Sequence, residues 1–315
     1  MSGAPGTFLL TFDVELIWGV FFDARWRRRA LAHFGAVREV FPRLLGTLAR
    51  HDVRATFAFV GHLFLGSCAR VDGRTHPEMV RPVHRHFPGD WYAFDPGTDV
   101  ARDPLFYAPD LVRLVREARP LHEIGAHGFS HAFLDTDRDL ARAEMRAAAE
   151  AARAAGVAAR SFVYPRNLVG FPEELAGAGF THYREAGAGG SREMPPRRGP
   201  LARAARLAAR LLGAGPPVGL PRRVGPVVEV PASVPILPAS GARRLVPNAV
   251  RVAEVRRGLA RARDRGAVFH LWTHPHNFVG GTEKSLAFLD RALGLVSAAR
   301  ERGEVRVATM SEVAP

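Results

Sequence analysis

The chain has 315 residues, enough for one large domain or two small ones. With 47% hydrophobic and 24% charged residues it is neither a disordered tail nor an integral membrane protein. The net charge of +13 comes almost wholly from arginine, since Lys284 is the only lysine. In a chain this rich in alanine and glycine, that pattern reflects GC-rich coding as much as selection for charge. It is weak support for nucleic-acid binding. The single cysteine, Cys68, excludes an intramolecular disulfide and a cysteine-based zinc cluster. No uninterrupted apolar run approaches the ~18 residues of a spanning helix. No basic region followed by an apolar stretch opens the chain, so a cytoplasmic location is expected.

Taken in order, a strand is predicted at Phe8 to Val14, a helix at His33 to Arg50, a strand at Ala55 to Val60 and a helix at Leu111 to Arg119. A strand at His122 to Ala126, a helix at Asp139 to Ala155, and strands at Ser161 to Tyr164 and Phe180 to Tyr183 follow. The last part reads as a helix at Ala249 to Arg265, a strand at Val268 to Thr273, a helix at Ser285 to Arg302 and a strand at Val305 to Thr309. Short apolar runs alternating with helix-periodic stretches predict an α/β fold with a parallel sheet covered on both faces. Roughly seven such units suit a barrel better than an open sheet.

Two stretches break the rhythm. Cys68 to Pro109 is long, irregular and rich in His, Pro and Asp. Gly187 to Arg257 holds 13 arginines against three acids, and 11 of the 24 prolines. A short helix at Leu201 to Leu212 is predicted within it. The expectation is one barrel domain over 1–315, carrying an arginine- and proline-rich insertion at 187–250.

Chemistry in a parallel barrel gathers just past the C-terminal ends of its strands. His127-Gly128-Phe129-Ser130-His131 follows one apolar run. Histidines at i and i+4 on a helical turn face the same way and can reach one metal ion. Asp13 and Glu15 end the first apolar run, and i, i+2 positions of an extended chain point to one face. Phe269 to Asn277 places His270, Trp272 and His274 on one face, with His274 at the strand's end and suited to protonating a leaving group. His276 is the rival metal ligand there. In Phe162-Val163-Tyr164-Pro165-Arg166-Asn167 a strand ends in a turn that aims Arg166 and Asn167, with Arg166 placed to orient a carboxylate. Trp18, Phe21, Phe22 and Trp26 are read evenly as a sugar-stacking surface or a hydrophobic core cluster.

Taken together, these pieces resemble the polysaccharide deacetylase (NodB-homology, carbohydrate esterase) family. The resemblance rests on Thr11-Phe12-Asp13, Ala55-Thr56-Phe57 with Val60-Gly61, Glu123 to His127 with Ser130-His131, His274, and the closing Thr309-Met310-Ser311-Glu312. It implies a distorted (β/α)7 barrel and a divalent metal, usually zinc. It also implies hydrolysis of the acetamide of an N-acetylated sugar, or of another non-peptide C–N bond, through metal-activated water. Asp13 matches the family's catalytic base, His127 and His131 its metal ligands, and His274 its catalytic acid. The usual second acid directly after the base is replaced by Val14; some relatives carry that ligand one residue later, here Glu15. The usual arginine-proline turn is replaced by Tyr164 to Asn167.

The implied function is therefore metal-dependent N-deacetylation of a saccharide. An amidohydrolase acting on a small linear or cyclic amide, and a glycan-binding pseudoenzyme, are the alternatives. The arginines of 187–250 lack interleaved aromatics, which argues against specific nucleic-acid binding. They suit an anionic, lipid- or nucleotide-linked sugar, or peripheral contact with a membrane surface.

Overall fold

The computed structural model describes residues 4–21, 33–83, 87, 89–185 and 215–315. The strands are β1 (Gly6–Val14), β2 (Thr56–Phe59), β3 (Arg70–Val71), β4 (Arg74–Thr75), β5 (Glu123–Ala126) and β6 (Ser161–Phe162). They continue as β7 (His182–Arg184), β8 (Arg222–Val224), β9 (Val227–Val230), β10 (Val234–Pro235), β11 (Val268–Thr273) and β12 (Val305–Val307). The helices are α1 (Val37–Arg50), α2 (Pro109–Glu117), α3 (Arg138–Ala154), α4 (Glu174–Gly177), α5 (Asn248–Arg265) and α6 (Thr282–Glu301).

The main sheet runs in the order β10-β11-β1-β2-β5-β6-β7-β9-β8, and β12 also pairs with β1. Every pairing is parallel except the β8–β9 hairpin. β1 has neighbours on both edges and is buried throughout. That explains why its sequence is a continuous apolar run and not an alternating one. The sheet curls into the distorted α/β barrel expected from the sequence. Val227 to Val230 pair with β7, while Val234 and Pro235 pair with β11. One short stretch thus brings the two ends of the sheet together.

Of the insertion expected at 187–250, the described part, from residue 215, supplies three strands of the barrel sheet. Pro-rich and arginine-rich composition hid these strands, which are only two to four residues long. Residues 187–214, including the helix predicted at Leu201 to Leu212, lie outside the described residues. No helix among the described residues is long and apolar enough to cross a membrane.

The helices bury one face each. In α1, Val37, Val40, Phe41, Leu44, Leu45 and Leu48 follow helical spacing and are buried. α3 begins at Asp137, whose carboxylate accepts the backbone N–H groups of Asp139 and Leu140. α5 ends at Gly266 in the left-handed region, φ 57°, where a Cβ would be strained.

Strands β5 and β6 pack closely enough to leave no space beside Gly125. A Cβ there would lie 2.7 Å from the Ser161 carbonyl oxygen. Gly125→Ala should therefore cost about 1–3 kcal/mol of unfolding free energy. Urea denaturation should show a lower midpoint at an unchanged slope. An unchanged midpoint would mean that the β5–β6 contact is looser than described.

Candidate active site

The register places the predicted residues side by side. Asp13 is opposite Ala58 in β2, Phe59 of β2 is opposite Ala126 of β5, and Phe12 is opposite Thr273 of β11. His127 and His274 are the first residues past β5 and β11. Arg184 is the last residue of β7. All therefore stand at the C-terminal rim of parallel strands, where barrel chemistry is expected.

The rim converges on one atom. Glu15 Oε1 lies 3.0 Å from His127 Nε2, 3.1 Å from His131 Nε2 and 3.2 Å from His274 Nε2. Glu15, His127 and His131 form a buried group able to hold a metal ion. The proton positions test that fit. His127 Nδ1 is 2.8 Å from the Val163 carbonyl oxygen, which can only accept, so Nδ1 carries the proton. In neutral imidazole Nε2 is then a bare lone pair, aimed at a carboxylate oxygen. Two acceptors facing each other in a buried site are reconciled by a shared proton or by a metal ion between them. Burial also pushes His131 down to about 4, into the neutral, ligating form, and its Nδ1 has no hydrogen-bond partner. The donor set of two imidazoles and a carboxylate suits zinc.

The histidine pair does not sit on a helical turn, as its spacing predicted. Residues 127–131 form an irregular turn with Gly128 at φ 70° and His131 at φ 61°. The buried Glu144 of α3 holds it: Oε2 accepts Phe129 N–H (2.8 Å) and Ser130 N–H (2.9 Å), and Oε1 accepts the Ser130 hydroxyl (2.5 Å) and the Tyr92 hydroxyl (3.0 Å). A Cβ on Gly128 would press on Glu144 Oε2 at 3.2 Å as well as strain the backbone. Glu15 likewise leaves the extended conformation (φ −114°, ψ −32°), opening a 3₁₀ turn at Leu16 to Gly19. Its carboxylate folds back into the space that the missing side chain of Gly19 leaves.

Asp13 is tied differently. Arg184 Nη1 donates to Asp13 Oδ1 at 2.7 Å, and Nη2 to Oδ2 at 2.6 Å. Both side chains are fully or almost fully buried. Asn167 Oδ1 accepts from Arg184 Nε and Nη2, Thr11 Oγ1 accepts from Nη1, and the guanidinium lies 4.7 Å over the Trp272 ring. The carboxylate-orienting role expected of Arg166 is thus filled by Arg184. Consecutive left-handed residues, Arg166 at φ 58° and Asn167 at φ 55°, turn Asn167 onto Arg184. They send the Arg166 guanidinium towards the Gly19 carbonyl and the Phe133 ring.

Burial would raise the Asp13 carboxyl pKa, but Arg184 outweighs it and holds the group below its ordinary value. Burial opposes ionisation of Glu15 too, yet His274, His131 and His127 together hold it well below. His274 is held above its usual value: burial lowers it, and Glu15 and Asp13 more than compensate. His276 packs against His274 at 4.7 Å between ring centroids and is pushed down to about 3 by burial. His270 is a core residue between Thr11 and the Pro231 carbonyl. Trp18 and Phe21 are buried core residues and not an open stacking surface. Phe22 and Trp26 lie outside the described residues. An apolar cavity of about 550 Å³ beside Ile236, Leu271 and Phe288 includes none of the rim residues.

Residues 6–170 match the family model described as polysaccharide deacetylase, more than half of the chain. The chain belongs to the polysaccharide deacetylase family. Its fold is similar to that of a Mycobacterium smegmatis protein assigned as a polysaccharide deacetylase, at 22% identity and a TM-score of 0.61, covering 99% of this chain and 92% of that one. It is also similar in fold to Puue allantoinase, at 12% identity and a TM-score of 0.57, with the same coverage. No curated protein matches the chain.

Sequence reading missed Arg184, Asn167 as its partner, and Glu144. Arg184 directly follows a predicted strand, and that position at the rim was the available signal. Glu144 sits mid-helix at an inward-facing position, where a buried acid asks for donors.

Removing Arg184 should leave a buried, unpaired carboxylate. Arg184→Met is expected to lose about 3–5 kcal/mol of stability at neutral pH. A carboxyl held below its ordinary value stabilises the fold above the usual carboxylate range and loses that contribution as pH falls through the lowered value. The gap between wild type and Arg184→Met should therefore narrow in acid, as Asp13 protonates. Denaturant melts across a pH series check this, and a gap constant with pH would contradict the pairing.

Proposed function

We propose that this polysaccharide deacetylase family member is a zinc-dependent hydrolase that removes the acetyl group from an N-acetylated saccharide. The supporting observation is the convergence of His127, His131 and Glu15 beside an Asp13 that Arg184 keeps ionised and fixed. Glu15, His127 and His131 would hold the ion. Zinc, when bound, supplies a Lewis acid that polarises the amide carbonyl and makes water acidic enough to attack.

The chain's own residues account for the proton movements. Asp13 is ionised at rest, and Arg184 occupies one lone pair on each of its oxygens. A second lone pair on each remains to take a proton from the attacking water. Its low basicity suits a base that must release that proton again within the cycle. His274 Nε2 lies 3.8 Å from Asp13 Oδ2, and Glu15 and Asp13 hold its pKa above the usual value despite burial, which suits it to protonating the departing nitrogen. An amide nitrogen leaves poorly unless it is protonated. Arg166, at the same rim, is proposed to act in substrate positioning, since its guanidinium is directed towards the turn that follows Glu15.

One observation favours a second reading. Val14 separates Asp13 from Glu15, so the metal-binding acid sits one place later than in the usual motif. An amidohydrolase acting on a small linear or cyclic amide is compatible with that spacing.

Asp13→Asn should keep metal content and lower kcat by about 10²–10⁴-fold. Glu15→Ala should lose metal and activity together. The experiment is metal analysis paired with acetate release from N-acetylated oligosaccharides and ammonia or amine release from small amides. Acetate release that Asp13→Asn abolishes supports deacetylation. Turnover of small amides alone supports the second reading, and no turnover of either by zinc-loaded protein would favour a binding role.

A further inference from the structure

The long connection after β2 contains a second convergence of metal-ligating atoms, separate from the rim. His62 Nε2 and His76 Nε2 lie 2.9 Å and 3.0 Å from the same atom, Asp95 Oδ2, and 3.1 Å from each other. Cys68 Sγ lies 3.4 Å from Asp95 Oδ1 and 3.3 Å from Oδ2. The four donor atoms all lie within 4.8 Å of one another. We propose that His62, Cys68, His76 and Asp95 form a second metal site, which holds zinc as a structural staple of this connection.

The proton arrangement supports a cation. His62 Nδ1 is 2.9 Å from the Phe106 carbonyl oxygen, so it donates there and carries the ring proton. Nε2 of the neutral ring is then a bare lone pair, facing both a carboxylate oxygen and the nitrogen of His76. His62 and Asp95 are completely buried, and His76 nearly so, so that opposition is met within the cluster, by a proton on His76 Nε2 or by an ion seated among the donors, and not by water. Donors around a tetrahedral zinc at about 2.0–2.3 Å stand about 3.3–3.7 Å apart. The His62, His76 and Asp95 donor atoms need to open by only a few tenths of an ångström to accept the ion. Two imidazoles, a thiolate and a carboxylate are the mixed N, S and O donors that zinc takes in four-coordinate structural sites.

The surrounding contacts fix the ligands. The Phe106 carbonyl sets the His62 tautomer, Glu78 lies 3.5 Å from His76 Nδ1, and the Gly97 N–H donates to Asp95 Oδ1 at 3.0 Å. The stapled segment also supports the rim. Gly61 N–H and His62 N–H donate to the carbonyls of Gly128 and Phe129, inside the turn that carries His127 and His131.

Cobalt provides the decisive probe, because the Glu15 cluster contains no sulfur. Purified full-length protein is stripped with a chelator and reloaded with Co²⁺ or Zn²⁺. Two metals per chain are expected, with a thiolate-to-cobalt charge-transfer band. That band should persist in His127→Ala/His131→Ala and vanish in Cys68→Ser, which should retain one metal. Zinc should slow the reaction of Cys68, the only thiol, with a disulfide reagent by about tenfold or more, and chelation should restore it. Should Cys68→Ser fail to fold, the wild-type band and thiol protection decide alone. A folded, cobalt-loaded wild type without the band, and with Cys68 equally reactive in the presence and absence of zinc, overturns the proposal.

Discussion

One carboxylate oxygen, Glu15 Oε1, faces three imidazole nitrogens inside a buried rim, and much of the molecule is arranged to sustain that crowding. A carboxylate oxygen has two lone pairs and cannot accept well from three rings. The fold enforces the approach from separate elements: β1 and its following turn bring Glu15, the turn after β5 brings His127 and His131, and the end of β11 brings His274. Parallel register makes this possible, since neighbouring strands end together and present their next residues to one rim. Burial selects neutral imidazole at His131, and the surrounding histidines hold Glu15 anionic against the cost of burial, the forms that bind a cation.

The second acid is kept out of that crowd. Arg184 grips both oxygens of Asp13, and its remaining hydrogen bonds go to Asn167 and Thr11. Two carboxylates two residues apart therefore have different roles, Glu15 turned to the imidazoles and Asp13 to the guanidinium. Isolating Asp13 in this way costs the desolvation of an ion pair, which only the fork geometry and the added acceptors offset. Such an arrangement is poorly explained by stability alone, because an apolar pair would fill the same space at lower cost.

Much of this was legible in the sequence. Continuous apolar runs located the central strands, because strands buried on both faces need no polar alternation. Residues at or immediately past the ends of those runs located Asp13, His127 and His274. What sequence could not show depended on partners brought from afar. Arg184 lies 171 residues from Asp13, and only its place just past a predicted strand marks it among the chain's many arginines. β8, β9 and β10 were hidden because their pairing, and not their composition, makes them strands. The His127–His131 turn shows the opposite case: the spacing pointed to the right pair through the wrong geometry, since the φ of Gly128 and the acceptors of Glu144 replace a helical turn. Cys68 was read by its number alone, whereas its neighbours His62, His76 and Asp95 are set by a long connection without periodic pattern.

The central claim is that the rim is built around a cation. An anomalous difference map from zinc-loaded crystals, collected at the zinc absorption edge, tests it most directly. The account predicts a peak enclosed by Glu15, His127 and His131, with Asp13 still held by Arg184. A map empty at that position, with the three imidazoles still closed on Glu15 in the presence of zinc, would contradict it.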